Sequence, residues 1–175
     1  TRGPRTLYSD GKVQGVRFVD SDALYLDGQK LVLVSESGNG PTRRREFRKE
    51  ADDVSRILQI GANLSSSSFI VQTKGGVTLR FDGTNGSAVR TADGAIIRWC
   101  VSRVADTAGN YIEFRYNQNG QGEHTVSSIR YTGHEVRDAN GNLTSDRKPY
   151  ASVDFRYEIA SRPIDAYVSG RLIRR

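Results

Sequence analysis

The sequence predicts an all-β chain of about ten strands in antiparallel hairpins, folded as a sandwich or an open curved sheet. Three observations predict it. Apolar residues recur with period two along most of the 175 residues, whereas helical periodicity with capping signals is nearly missing. Eighteen glycines supply turns, because glycine reaches the positive φ that tight turns need. Eight tyrosines and six phenylalanines supply the bulky, flat side chains that pack well on a pleated surface.

Taken in order, residues 1–22 read as an irregular or partner-completed edge. ALYLDGQKLVLVS (23–35) is a hairpin: Asp27-Gly28 suits a type I′ turn, with Leu24 and Leu26 on one arm and Leu31 and Leu33 on the other. TRRREFRKE (42–50) places Arg43, Arg45 and Phe47 on one face of a strand and Arg44, Glu46 and Arg48 on the other. Such charge suits a solvated edge, where it discourages unwanted pairing. EADDVSRILQIG (50–61) reads as a strand, with one short helix near 52–58 as the alternative, because Val54, Ile57 and Leu58 also suit a helical turn.

SFIVQTKGGVTLRFDG (68–83) is a second hairpin turning at Gly75-Gly76, with Phe69 and Val71 facing Val77, Leu79 and Phe81. Residues 97–116 form a third: Ile97, Trp99 and Val101 on one arm, DTAGN at 106–110 as the turn, and Ile112, Phe114 and Tyr116 on the return. Further strands are expected at 125–132 and 151–159, with the polar stretch DANGNLTSDRKP between them as a long loop. Trp99, Ile112, Phe114, Tyr116, Phe155 and Tyr157 are the expected core.

Composition narrows function more than it names it. The net charge of +6 arises from 26 basic and 20 acidic residues interspersed along the chain, which is what an ordinary surface looks like. The densest basic run offers Arg43, Arg44, Arg45 and Arg48 as a polyanion contact, but a nucleic-acid platform interleaves cations with exposed aromatics and only Phe47 is available, so the pattern argues against nucleic acid. Cys100 is the single cysteine, so no internal disulfide forms, and beside Trp99 it reads as a small buried or half-buried thiol. No run of about 18 apolar residues exists to span a membrane, and no signal peptide is visible. The chain opens at Thr1 and contains no Met, which reads as a piece of a longer polypeptide.

Motifs for chemistry are sparse. Asp138, Asn140, Asn142 and Asp146 place oxygens at the first, third, fifth and ninth positions of a loop, a weak calcium candidate because Leu143 stands where such loops need a sharp turn. Asp52 and Asp53 are adjacent, and in a strand they point to opposite faces. His124 and His134 lie in polar, turn-like sequence without an obvious partner for Cys100. The serine run at 65–68 and SESGNGP (35–41) lack the order that cradles phosphate. The chain therefore reads as non-enzymatic, with no cofactor implied. The alternative is a binding module in which Tyr131 or Tyr150 stacks on a sugar or the 43–49 strand meets an anionic surface; a hydrolase with an unrecognised site ranks behind it.

The ordered series YLDGQKLVLVS, REFRKEADDVSRI, FIVQTKGGVTLRF, WCVSRVADTAGNYIEFRY, SSIRYTG and VDFRYEIASRPIDAYVSG resembles the SpvB-like region shared by B components of insecticidal Tc toxin complexes and the Salmonella virulence plasmid B protein. The likeness runs from about Ala23 to the end of the chain. It implies a single β-rich domain over 1–175, near the N-terminal side of a large secreted subunit. Neighbouring propeller and RHS/YD-repeat shell domains and other toxin-complex subunits are the partners it implies, and catalysis in such proteins belongs to separate C-terminal domains. The E-x-E signature of ADP-ribosyltransferases does not occur in this sequence. One departure stands out: Arg162-Pro163-Ile164-Asp165 carries one residue more than the family's Arg-Pro-Asp turn.

Overall fold

The computed structural model describes residues 1–175 except 52, 53, 84, 85, 119–121, 159–161, 163 and 175. The regular structure of the described residues is almost all strand. β1 (Arg2–Gly3), β2 (Ala23–Leu26), β3 (Gln29–Ser37), β4 (Arg44–Lys49), β5 (Arg56–Ile60), β6 (Ser68–Gln72) and β7 (Thr78–Phe81) follow one another as an antiparallel meander. β8 (Ala88–Arg90) and β9 (Ile96–Trp99) then leave it as a separate hairpin. β10 (Arg103–Ala105) rejoins the sheet beside β7, followed by β11 (Asn110–Gln118), the 14-residue β12 (His124–Arg137) and β13 (Leu143–Arg147). β14 (Ala151–Asp154) also pairs with β12, and β15 (Asp165–Val168) with β16 (Arg171–Arg174) closes the chain as a hairpin. The all-β expectation is met by an open sheet, with sixteen strands among the described residues in place of about ten, since stretches read as irregular edge and loop also pair, as β1 and β13.

The local turn chemistry behaves as the sequence indicates. Asp27 and Gly28 have φ of 52° and 77°, and the arms they join pair Leu26 with Gln29. In the second hairpin Phe69 faces Phe81 and Val71 faces Leu79. The alternative helix near 52–58 is not formed over 56–58, which belong to β5, where Ile57 pairs with both Phe47 and Val71; Asp52 and Asp53 lie outside the described residues. Neighbouring strands on both sides of β5 supply backbone partners that one isolated turn could not.

The core lies between the curved β2–β7 face and the β8–β9 hairpin laid across it. Leu24, Leu31, Phe47, Ile57, Phe69 and Val71 meet Ala88, Ile96 and Trp99, with Leu64 from the β5–β6 loop. Trp99 is fixed three ways: edge-on to Phe69 at 5.0 Å between centroids, its indole N–H donating to the Ser67 carbonyl at 3.1 Å, and the Arg2 guanidinium over its ring at 5.8 Å. Arg2 is itself buried, donating to the carbonyls of Ile96 and Val19 and pairing with Asp22 at 2.9 Å. Residues 1–22 are thus anchored under the roof: β1 completes the edge at β2, and a four-residue helix, Leu7–Asp10, carries Asp10 to Arg5 and Lys30.

The Trp99 strand corrects the third expected hairpin. β9 pairs with β8, not with β11; the partner of β11 is β10, and the chain switches sheets through Cys100–Ser102. Ser102 re-enters the sheet by donating to the Arg80 carbonyl and accepting from the Phe114 amide. A bulge where Ile97 has no partner puts Ile96 and Trp99, not Ile97 and Trp99, into the core. The polar stretch 138–149, expected to be all loop, contains β13, and the strand expected at 151–159 ends at Asp154.

Candidate interaction surface

Register defines one face of the main sheet. Leu33, Phe47, Ile57, Val71, Leu79, Val104 and Ile112 are successive cross-strand partners from β3 to β11, so their side chains form a single row on the face that looks toward the core. Under the β8–β9 roof the middle of this row is sealed, with Phe47 7%, Ile57 1% and Val71 4% exposed, while Leu33 at its β3 end is 48% exposed. Beyond β10 the roof ends, and Ile112 is 37% exposed. The same face continues through the cross-strand partners Phe114, Ile129 and Val153, then past β14 to Phe155 and Tyr157, at 39% and 54%. Ile112, Phe155 and Tyr157 are therefore surface residues and not core, while Phe114 and Tyr116 are half-buried. Their pattern is that of a core face, but in this half no second layer lies over it among the described residues.

The long strand β12 carries a break at the centre of this face. Between the pairs Glu113↔Arg130 and Tyr111↔Gly133, β12 holds one residue more than β11, so Tyr131 and Thr132 oppose Ile112 alone. Thr132 has φ of 76°, a left-handed conformation that costs a β-branched residue of order 1–3 kcal/mol. At this point the other flank of β12 changes partner, from β14 at 128–131 to β13 at 134–137. The Thr132 hydroxyl accepts from the Tyr150 amide at 3.2 Å and donates to the Tyr131 carbonyl. A groove of about 510 Å³ opens here, with Val104 and Ile112 among its apolar residues and Tyr131, Tyr150 and Arg147 around it.

The reverse face under the groove is polar and closed. Tyr111 is 2% exposed; the Arg103 guanidinium lies 3.5 Å from its ring centroid, and its hydroxyl donates to Asp146 at 2.7 Å. Burial, followed by the Asp146 carboxylate, pushes the Tyr111 hydroxyl up to about 12. Arg103 also pairs with Glu135 at 2.6 Å. Gly133 makes the approach of Tyr111 possible, since a Cβ there would stand 2.5 Å from the ring. A glycine inside a run of alternating residues was the available sequence signal for this bulge.

The residues singled out as possible sites are scattered over the molecule. Arg43 and Arg45 both bond Glu36 at 2.8 Å, and these bonds, Arg45 first, hold the Glu36 carboxyl below its ordinary range. Arg48 pairs with Glu46 at 3.0 Å, and Arg44 is exposed. Their strand is not an edge: β4 lies between β3 and β5, with Phe47 buried, and Arg45 and Arg48 are matched by acids of the adjoining and the same strand. Asp138 closes a turn on itself, accepting from the amides of Asn140 and Asn142 and from the Asn142 side chain, while Asp146 lies on β13 against Tyr111 and Lys148. Among the described residues no three of His, Cys, Asp and Glu gather as a metal cluster.

His124 and His134 are not in turns but both on β12, at its first residue and ten residues on, roughly 30 Å apart along a strand. His124 stacks on Tyr116 at 4.6 Å, its Nε2 2.8 Å from the Gly86 carbonyl, and burial followed by Arg98 lowers its pKa. Cys100 is half-buried, and burial pushes its thiol up, the opposite of an activated nucleophile. Pro163 of the 162–165 turn lies outside the described residues.

No protein-family model matches the chain, and no curated protein sequence matches it. Solved structures do match. Superposition on the N-terminal domain of effector protein SpvB from Salmonella typhimurium strain LT2 gives a TM-score of 0.67 at 15% identity, covering 98% of this chain and 70% of that one. The chain shares that fold. The TcdB2-TccC3 crystal structure gives 0.64 at 12% identity, again over 98% of this chain but only 10% of the other. In that protein the fold is one small part of a far longer polypeptide.

Proposed function

We propose that the chain is a non-catalytic structural and assembly domain of a secreted bacterial toxin subunit of Tc or RHS type, contributing to a shell that houses or delivers a C-terminal cargo. The observation that carries this reading is the unroofed half of the core face. A row running from the half-buried Phe114 and Ile129 to the exposed Val153, Phe155 and Tyr157 is built like an interior and left open at its β14 end, as expected of a surface that a neighbouring domain covers. The fold shared with the SpvB N-terminal domain, and with a tenth of TcdB2-TccC3, supports placing it beside other domains of one polypeptide or subunits of one complex. The dispersed carboxylates, histidines and thiol support a role without chemistry of its own.

The test is light scattering after size-exclusion chromatography, on the chain alone and mixed with the adjoining segments of its parent polypeptide. Stable association, abolished by the paired change Val153→Asp and Phe155→Asp, is the expected result. Both positions are exposed, so the variant retains its fold by circular dichroism. A wild-type chain that stays monomeric and indifferent to those segments overturns the reading.

A further inference from the structure

We propose that the groove at the bulge of β12 is a binding site for a carboxylate-bearing sugar, of the sialic or uronic acid class. The groove is assembled rather than incidental. Thr132 is held in a costly backbone conformation, and its one hydroxyl ties together the two tyrosines that border the groove, accepting from the Tyr150 amide and donating to the Tyr131 carbonyl. Strain of this kind persists only where the surroundings fix it, and here the fixed wall is Tyr111 packed against Gly133 and clamped by Arg103 and Asp146. The volume, about 510 Å³, is that of a small-ligand pocket.

The lining selects the ligand. Tyr131 and Tyr150 are 40% and 78% exposed, offering ring faces to the C–H face of a pyranose and hydroxyls to its polar rim. Val104 and Ile112 make an apolar floor that excludes water beneath the ring. Arg147 supplies charge: its guanidinium enters no ion pair among the described residues, and its cross-strand partner is His134. Two nearby acids are engaged on the reverse face, Asp146 with Tyr111 and Lys148 and Glu135 with Arg103 and Arg137; Asp106 lines the groove itself, where its carboxylate is taken up by the amides of Ala108 and Asn110 and by the Asn110 side chain. An exposed guanidinium beside two aromatic faces suits a planar carboxylate on a ring, which it can grip through two parallel hydrogen bonds. A phosphate backbone would need a track of cations, and Arg147 is the one Lys or Arg among the described residues that line this groove.

The probe is sialyllactose titrated into the intact chain and followed by amide chemical shifts, with lactose as the neutral control. Saturable shifts confined to residues around Ile112, Tyr131, Arg147 and Tyr150 are expected, at least about tenfold weaker with lactose. Tyr150→Ala and Arg147→Gln, both exposed and outside the core, each weaken binding about tenfold or more with the spectrum otherwise native. Repeating the titration with a hexuronate oligosaccharide separates the two acid-sugar classes. Absence of saturable shifts with both acidic probes, or shifts unchanged in Arg147→Gln and Tyr150→Ala, overturns the proposal, as does occupancy of this groove by the adjoining protein segment. The assembly reading is tested at the other end of β14, through Val153 and Phe155, so either can fail without the other.

Discussion

The two halves of this sheet use the same alternating pattern for different ends. From β2 to β7 the apolar face is roofed by β8–β9, and Ile57, Phe69, Val71 and Trp99 are sealed; from β10 to β14 the same face continues with Ile112, Tyr131, Val153 and Phe155 open to solvent. Alternation therefore reports which face is apolar and not whether anything covers it. Coverage is decided by where a second layer falls, and here one six-stranded stretch receives it and the next does not.

The largest expected effect follows from that contrast. Trp99→Ala removes the Phe69 contact, a buried hydrogen bond and the seat of Arg2, and should cost about 3–5 kcal/mol, whereas Ile112→Ala on the same face should cost about 1 kcal/mol or less. Urea unfolding of the two variants measures both, and comparable losses would mean that the second half is as tightly packed as the first. A smaller effect tests whether the open half is nonetheless rigid. At Gly109, with φ of 88°, an added Cβ stands 2.1 Å from the Glu135 carbonyl oxygen, so Gly109→Ala should lose about 2–3 kcal/mol from clash and backbone together. Gly141→Ala is the control: its φ is 82° but nothing lies within 4 Å, so only the backbone cost of about 1 kcal/mol remains. Equal losses at the two sites would show that the 106–110 turn yields easily.

Much of the roofed half was legible in the sequence because its determinants are local. Asp27-Gly28 dictates its turn, and the spacing around Gly75-Gly76 sets Phe69 opposite Phe81. What escaped is non-local. Alternation around Trp99 cannot say that its strand pairs with β8 rather than with β11, and one unpaired residue at Ile97 changes which side chains point inward. Phe155 and Tyr157 look like core residues in sequence because nothing in their own segment encodes the missing roof. The groove was half visible: Tyr131 and Tyr150 stand out as candidates, but their convergence depends on a strand, β13, inside what reads as loop, and on a bulge whose only sequence mark is Gly133.

That bulge provides a prediction of opposite sign. Thr132→Gly relieves the positive φ at the loss of one hydrogen bond to Tyr150, and stability should rise by roughly 1 kcal/mol while the tie between the two tyrosines is released. A thermal melt reads the first effect and the sugar titration the second. A variant less stable than the parent would indicate that the hydroxyl outweighs the strain, and that the groove is shaped by hydrogen bonding alone.

The smallest effect concerns His124, where the open half touches the roofed one through the Gly86 carbonyl and the Tyr116 ring. Burial and Arg98 lower its pKa in the fold, so the unfolded chain takes up a proton first as pH falls through about 6.5. Its contribution is thus fully present above that pH and declines below it, until the folded histidine is protonated as well. The urea midpoint should drop between roughly pH 7 and pH 5.5, and His124→Phe, which keeps a ring on Tyr116 without a titrating nitrogen, should flatten that slope. If the wild-type midpoint instead rises as pH falls, His124 is better solvated or better paired in the fold than its setting requires, and the seam between the two halves is wetter than the packing around Gly86 implies.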